Sequence, residues 1–187
     1  MTKDKIDLSI VIVSYNVREL LARCLESVNS EQLTVNSKIL ATGDWRLATE
    51  IFVVDNASRD GSAAMVRERF PRVHLIENAE NRGFAAANNQ AFAQTRGRYI
   101  LMLNPDTEVR VGALETLVEF MDAHPRAGAC GGKLVFGDGS LQHSAFAFPS
   151  LAQIFLDFFP FNWRLTDSRL NGRYPRAGYA RGAPFQI

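Results

Sequence analysis

Four short apolar runs, each ending in polar or acidic residues and separated by helix-patterned segments, constrain this chain more than any other feature. Leu8–Val13 ends in Ser14-Tyr15-Asn16, Glu50–Val54 stops at Asp55, Val73–Glu77 ends in an acid, and the run from Tyr99 drives into Asn104-Pro105-Asp106. Brief runs rich in β-branched residues read as strands buried on both faces. After the first, Leu20, Leu21, Cys24, Leu25 and Val28 fall on one helical face. Ser62–Phe70 supplies the next helix, with Ser58 or Asp60 as its N-cap, an alanine-rich helix follows Gly83, and another covers Gly112 to His124. This alternation implies an α/β fold with a right-handedly wound parallel sheet. Such sheets bind ligands beyond the carboxyl ends of their strands, which is where Ser14, Asp55 and Asp106 fall.

Pro105 fixes its own φ and donates no hydrogen bond, so the chain leaves the sheet there and presents Asp106 outward. The same residues would also suit a plain turn in which Asp106 or Thr107 caps the following helix. Asn81-Arg82-Gly83 has the design of an anion-facing helix start: Gly83 permits close approach, the helix behind it offers unpaired N–H groups, and Arg82 adds a forked donor. An ordinary turn before a small-residue helix would read the same way. Asn88 and Asn89 are poor choices inside a helix, so at least one is expected to have a polar task.

At 187 residues, 47% hydrophobic and 22% charged, the chain can bury a sizeable core. A net charge of +1, with basic and acidic residues interspersed, argues against nucleic acid as a partner. Cys24 and Cys130 read as small buried thiols in a reducing compartment, with no metal-binding spacing between them. The N-terminus leads into a run too short for a signal peptide or a membrane span, so a cytoplasmic location is expected. Two places break the rhythm. Glu31 to Thr49 is polar and long, and reads as a surface excursion. Leu151 to Trp163 is dense in aromatics and stopped by Pro160. It reads as a core or lid helix; a peripheral contact with the membrane surface is the sharper alternative, although the Lys and Arg that usually accompany one are absent. After Trp163 the chain reads as a mobile basic tail. Structural roles suit His74, His124 and His143; only His143, beside a hairpin, is a candidate for touching a ligand.

Ile-Val-Ile-Val-Ser-Tyr-Asn (10–16), Val-Val-Asp-Asn-Ala-Ser-Arg-Asp-Gly-Ser (53–62), Asn-Arg-Gly-Phe-Ala-Ala-Ala-Asn-Asn (81–89) and Leu-Asn-Pro-Asp-Thr-Glu-Val (103–109) together resemble the family 2 glycosyltransferases of the GT-A fold. The Asn-Pro-Asp-Thr variant is most similar to rhamnosyltransferase-type members that build bacterial surface polysaccharides. The resemblance runs from about Leu8 to Pro149 and includes the Asp138–Gln142 hairpin and the Ala-Gly-Ala-Cys-Gly-Gly strand before it. It implies a GT-A three-layer sandwich around a mostly parallel sheet, with 1–150 as the nucleotide-sugar-binding domain and 151–187 as the start of an incomplete acceptor region. It further implies that Ser14, Tyr15 and Asn16 surround the nucleotide base and that Asp55 accepts the base's imide N–H. Arg82, Gly83 and Asn89 would line the diphosphate side. Asp106 matches the last acid of the family's Asp-x-Asp motif and would ligate Mg²⁺ or Mn²⁺. Asn104 replaces the first acid, which removes one anionic ligand but leaves a neutral oxygen.

The expected activity is an inverting hexosyl transfer from a dTDP-linked or UDP-linked sugar to a saccharide or lipid-linked acceptor, at the inner face of the membrane if the aromatic segment touches it. Such transfer needs a carboxylate to take the acceptor's proton. In the family that base lies in a Glu-Asp type motif downstream of a Gly-Ala segment that Arg181-Gly182-Ala183 begins to match. The only later acids, Asp157 and Asp167, suit surface or capping roles, so the C-terminal part of the fold is expected to be missing. A non-catalytic nucleotide-binding or interaction module is the alternative. A nicotinamide-dependent oxidoreductase ranks last, because Ser14-Tyr15-Asn16 stands where its Gly-rich turn belongs.

Overall fold

The computed structural model describes residues 5–42, 47–142, 144, 151 and 154–155, with the backbone alone for 31–42. Strands and helices alternate: β1 (Leu8–Ser14), α1 (Arg18–Thr42), β2 (Thr49–Asp55), α2 (Ser62–Arg69), β3 (His74–Glu77), α3 (Phe84–Phe92), β4 (Tyr99–Met102) and α4 (Ala113–Ala123). The sheet order is β3-β2-β1-β4, and every pairing is parallel.

Strand alternation sorts the core into two layers. Leu8, Ile10 and Ile12 of β1 and Ile51 and Val53 of β2 pack with Leu21, Cys24, Leu25 and Val28 of α1, Met65 and Val66 of α2, and Leu114 and Val118 of α4. On the other face, Val11, Phe52 and Val54 meet Ala87 and Ala91 of α3, whose small side chains let that helix lie close to the sheet. The result is a three-layer sandwich. Each fully buried Ile or Leu, such as Ile10 or Leu25, contributes roughly 1.5–3 kcal/mol. The short edge strands β3 and β4 are only partly covered.

The amino-terminal edge of the sheet is fastened by a buried polar cluster. Glu50 accepts the Ser9 hydroxyl at 2.7 Å and the Arg96 amide at 2.6 Å, and the Arg96 guanidinium at 3.1 Å completes an ion pair. Ser9 Oγ also accepts the Gly97 N–H at 2.9 Å. A Cβ at Gly97 would lie 2.5 Å from the Ser9 nitrogen, so no larger residue fits.

Several local expectations are corrected. The stretch from Glu31 is no excursion, because α1 continues to Thr42; nothing before Gly43 breaks a helix, and polarity alone does not end one. The cap positions of α2 and α4 are Gly61 and Gly112, both left-handed and without a side-chain cap bond. Asp60 still serves the start of α2, accepting the Ser62 N–H at 3.0 Å and hydroxyl at 2.6 Å. Asp106 and Thr107 do not cap α4. Cys24 is buried as expected, but Cys130 is exposed.

The chain divides into two compact units, Met1–Cys130 and Gly131–Ile187. In the second, Val135 and Leu141 form an antiparallel bridge around a tight turn at Gly139, with the Phe136 N–H on Ser140 O at 2.8 Å. This is the expected hairpin, but the Ala-Gly-Ala-Cys-Gly-Gly segment before it forms no strand. Leu151, Ile154 and Phe155 are helical; the rest of the aromatic segment, the basic tail, His143, Asp157 and Asp167 lie outside the described residues. No helix among the described residues is long and apolar enough to cross a membrane.

Candidate functional site

At the carboxyl edge of the sheet, Ser14 and Asp55 are register partners at the ends of β1 and β2. The loops that follow are laced together. Asn16 N–H donates to Ser58 Oγ at 3.0 Å, Arg59 N–H to Asn16 Oδ1 at 2.8 Å, and Arg18 N–H to Asp60 Oδ2 at 2.8 Å. Asn16 (φ 55°) and Ala57 (φ 68°) occupy the left-handed region, a backbone strain that non-glycine residues keep only where their surroundings enforce it. Tyr15, next to Asn16, is half exposed.

Asp55 is 3% exposed. One carboxylate oxygen accepts the Ser58 N–H at 3.0 Å, while among the described residues Oδ1 has no partner, and neither does the buried hydroxyl of Ser14. Glu115 on α4 holds the other buried side-chain oxygen in this condition among the described residues. Leaving a buried polar atom unmatched costs about 1–3 kcal/mol, so two such atoms side by side at a sheet edge fit a ligand that supplies the missing bonds.

The loop into α3 is held by amide side chains. Asn56 donates to Asn81 Oδ1 at 2.7 Å and accepts Asn78 Nδ2 at 3.1 Å and the Arg82 N–H at 3.0 Å. Asn81 Oδ1 also accepts the Gly83 N–H at 2.9 Å. Gly83 sits at φ 79°, ψ 164°, which only glycine adopts readily. The amides of Arg82 and Gly83 are therefore occupied, and the donors open at this helix start are those of Phe84, Ala85 and Ala86 in its first turn. Asn88 bonds its own helix at Phe84 O, 2.9 Å, and Gln90 pairs reciprocally with Asn78. Asn89 is exposed, with no side-chain hydrogen bond among the described residues.

β4 is prolonged by the Leu103 N–H on Val11 O at 2.9 Å, and the Thr107 N–H closes a turn onto Asn104 O at 3.1 Å. This turn lies against α1. The Cys24 thiol donates to Asn104 O at 3.7 Å, and Ser27 Oγ accepts the Val109 N–H at 2.9 Å while donating to Cys24 O at 2.7 Å. Burial, then the nearby Asp106 and Glu108 carboxylates, push the Cys24 thiol up to about 12. Asn104 and Asp106 are exposed, and Asp106 has no hydrogen-bond or ion-pair partner among the described residues. With β1 between β2 and β4, Asp55 and Asp106 follow strands that lie two spacings, about 10 Å, apart and leave the sheet at the same edge.

No group of three or more His, Cys, Asp or Glu that could hold a metal occurs among the described residues. Asp106 alone, with Asn104 beside it, suits the mode in which a hard cation takes one carboxylate and fills its remaining positions from phosphate and water. The supporting residues Asn56, Asn78, Gln90 and Ser27 were not singled out from sequence. Asn56, Asn78 and Gln90 bond residues on other segments and Ser27 bonds the Val109 N–H, and the density of Asn and Gln around positions 78–90 hinted only at Asn78 and Gln90.

The family model for glycosyl transferase family 2 matches residues 9–172. The N-acetylglucosaminyl-diphospho-decaprenol L-rhamnosyltransferase of Mycobacterium tuberculosis is 32% identical over 120 residues, covering 56% of this chain and 39% of that protein. Among solved structures, the mannosyltransferase PcManGT from Pyrobaculum calidifontis, in complex with GDP-Man and Mn²⁺, is 27% identical with a TM-score of 0.50, covering 61% of this chain and 32% of that one. S. aureus TarS in complex with UDP shares the fold at 20% identity and a TM-score of 0.51, covering 64% of this chain and 33% of its own. The chain thus spans about two fifths of the rhamnosyltransferase and about a third of either solved chain. Its parallel α/β sandwich is of the GT-A type, and the chain belongs to glycosyl transferase family 2.

Proposed function

We propose that this chain binds the nucleotide-sugar donor for an inverting hexosyl transfer in cell-surface polysaccharide synthesis, with a saccharide or lipid-linked saccharide as acceptor. The observation that carries this reading is the buried Oδ1 of Asp55 beside the buried Ser14 hydroxyl, both without a partner among the described residues, on the sheet edge from which Asp106 also projects. The names of the similar proteins support it: one acts on a diphospho-decaprenol carrier and another is solved with GDP-Man and Mn²⁺.

In this reading Asp55 accepts the imide N–H of a uracil or thymine base, with Ser14, Tyr15 and Asn16 around the ring. The first-turn amides of α3 and the Arg82 guanidinium face the diphosphate, Gly83 lets it approach, and Asn89 lines the same side. Asp106, helped by the neutral oxygen of Asn104, would hold Mg²⁺ or Mn²⁺. When bound, such a cation neutralises charge on the departing diphosphate. These residues bind and orient the donor; the base that takes the acceptor's proton is not assigned among them. The donor side belongs to the cytoplasm in this reading, with peripheral contact at the inner membrane face where a lipid-linked acceptor is met.

Calorimetry with UDP, dTDP, GDP and their sugars, with and without Mn²⁺, on the wild type and on Asp55→Ala and Asp106→Ala, tests this. The first variant is expected to lose base selectivity and the second metal dependence. Wild-type protein that binds none of these nucleotides would overturn the reading.

A further inference from the structure

We propose that Asn56 is a positioning residue that locks the Asn81-Arg82-Gly83 loop to the end of β2, so that one buried amide sets the distance between base recognition and diphosphate binding. The inference rests on the donor-binding reading. Asn56 is buried and directly follows Asp55. Its side chain spends its acceptor oxygen on the Arg82 N–H at 3.0 Å and Asn78 Nδ2 at 3.1 Å, and donates to Asn81 Oδ1 at 2.7 Å. Asn81 Oδ1 in turn receives the Gly83 N–H at 2.9 Å. Asn56 therefore fixes both amides that enter α3, one directly and one through Asn81.

The chemistry requires an amide. The site needs one donor and one acceptor on a short side chain: aspartate would turn an oxygen toward the Asn81 oxygen, and leucine would leave the Arg82 amide unpaired. Asn78 braces the clamp from β3, with its own N–H on Asp55 O at 2.9 Å and a reciprocal pair to Gln90 on α3, both bonds at 2.9 Å. Three chain segments, the ends of β2 and β3 and the start of α3, meet at one side chain. Asp55 on its amino side faces the base, so a displaced loop moves the phosphate donors and leaves the base acceptor where it is.

The test is an NMR titration of ¹⁵N-labelled wild type, Asn56→Ala and Asn81→Ala with uridine, UDP, thymidine and dTDP in the presence of Mg²⁺, alongside amide hydrogen exchange without ligand. Asn81 is exposed, so its variant folds even if the Asn56 variant does not. Both variants are expected to lose about tenfold or more in diphosphate affinity with nucleoside affinity held within about twofold, and to exchange faster at Gly83, with Asn56→Ala faster at Arg82 as well. Equal losses for nucleoside and diphosphate, or unchanged exchange at these amides, would overturn the proposal. If the wild type binds none of the four ligands, the donor-binding reading falls, while faster exchange at Arg82 and Gly83 still establishes the clamp.

Discussion

Ser14 and Asp55 face each other across the pairing of β1 and β2, and each keeps a buried oxygen that no described residue reaches. Replacing Asp55 with asparagine keeps an oxygen for the Ser58 N–H but can turn an N–H₂ toward a ligand's imide. We expect Asp55→Asn to fold normally by circular dichroism and to lose about tenfold in preference for uracil or thymine nucleotides over guanine ones. Ser14→Ala removes a buried hydroxyl that no described residue bonds, so the variant should be at least as stable as wild type in a urea titration.

Asp106 and Ser27 should separate cleanly. Asp106 is exposed and has no pairing partner among the described residues, so Asp106→Ala should melt like the wild type and abolish the Mn²⁺ dependence of nucleotide binding. Ser27→Ala strands the Val109 N–H beneath the same turn. It should lower stability by about 1–2 kcal/mol and weaken, without abolishing, the metal dependence.

Glu50 makes a prediction about acid. Burial pushes its carboxyl up, but the Ser9 hydroxyl and the Arg96 amide and guanidinium outweigh burial and hold it below the ordinary glutamate value of 4.5. A carboxyl more acidic in the folded state lends stability above its unfolded pKa and loses it as pH falls through its folded one. Glu50→Gln should therefore melt well below wild type at pH 6, and the gap between the two should close on acidification below about pH 4.5. A gap constant from pH 6 to pH 3 would refute this account.

The two thiols should differ in reactivity. Cys24 is buried with its pKa pushed up to about 12, whereas Cys130 is exposed, although partial burial of the sulfur also pushes its thiol up. An aromatic disulfide reagent at pH 8 should titrate one thiol in the native protein and both in denaturant, and Cys130→Ser should eliminate the native reaction.

The strand and helix order was legible because runs such as Ile10–Val13 and Ile51–Val54 are buried on both faces, and continuous apolar runs of that length admit few other readings. The acids at the strand ends were legible for the same reason, since each marks where an apolar run stops. The second half of α1 was missed because its residues lack a clear apolar stripe, and helix continuation depends on the absence of breakers as much as on patterning. The starts of α2 and α4 were legible, but their caps at Gly61 and Gly112 were not, because Ser, Asp and Thr stood nearby as conventional caps; Ser58 instead spends its hydroxyl on Asn16 of the neighbouring loop. The Asn56, Asn78, Asn81 and Gln90 ladder joins positions far apart in sequence, and nothing local in a polar amide announces its partner.

The contact between Gly97 and Ser9 admits only hydrogen. At that contact the amino-terminal edge of the sheet accepts no added atom, so the approach of the segment before β4 to β1 is fixed there. At the opposite edge, change is confined to those positions of the loops at 14–16, 55–60 and 81–89 that the Asn56 amide network and the Gly83 backbone leave free.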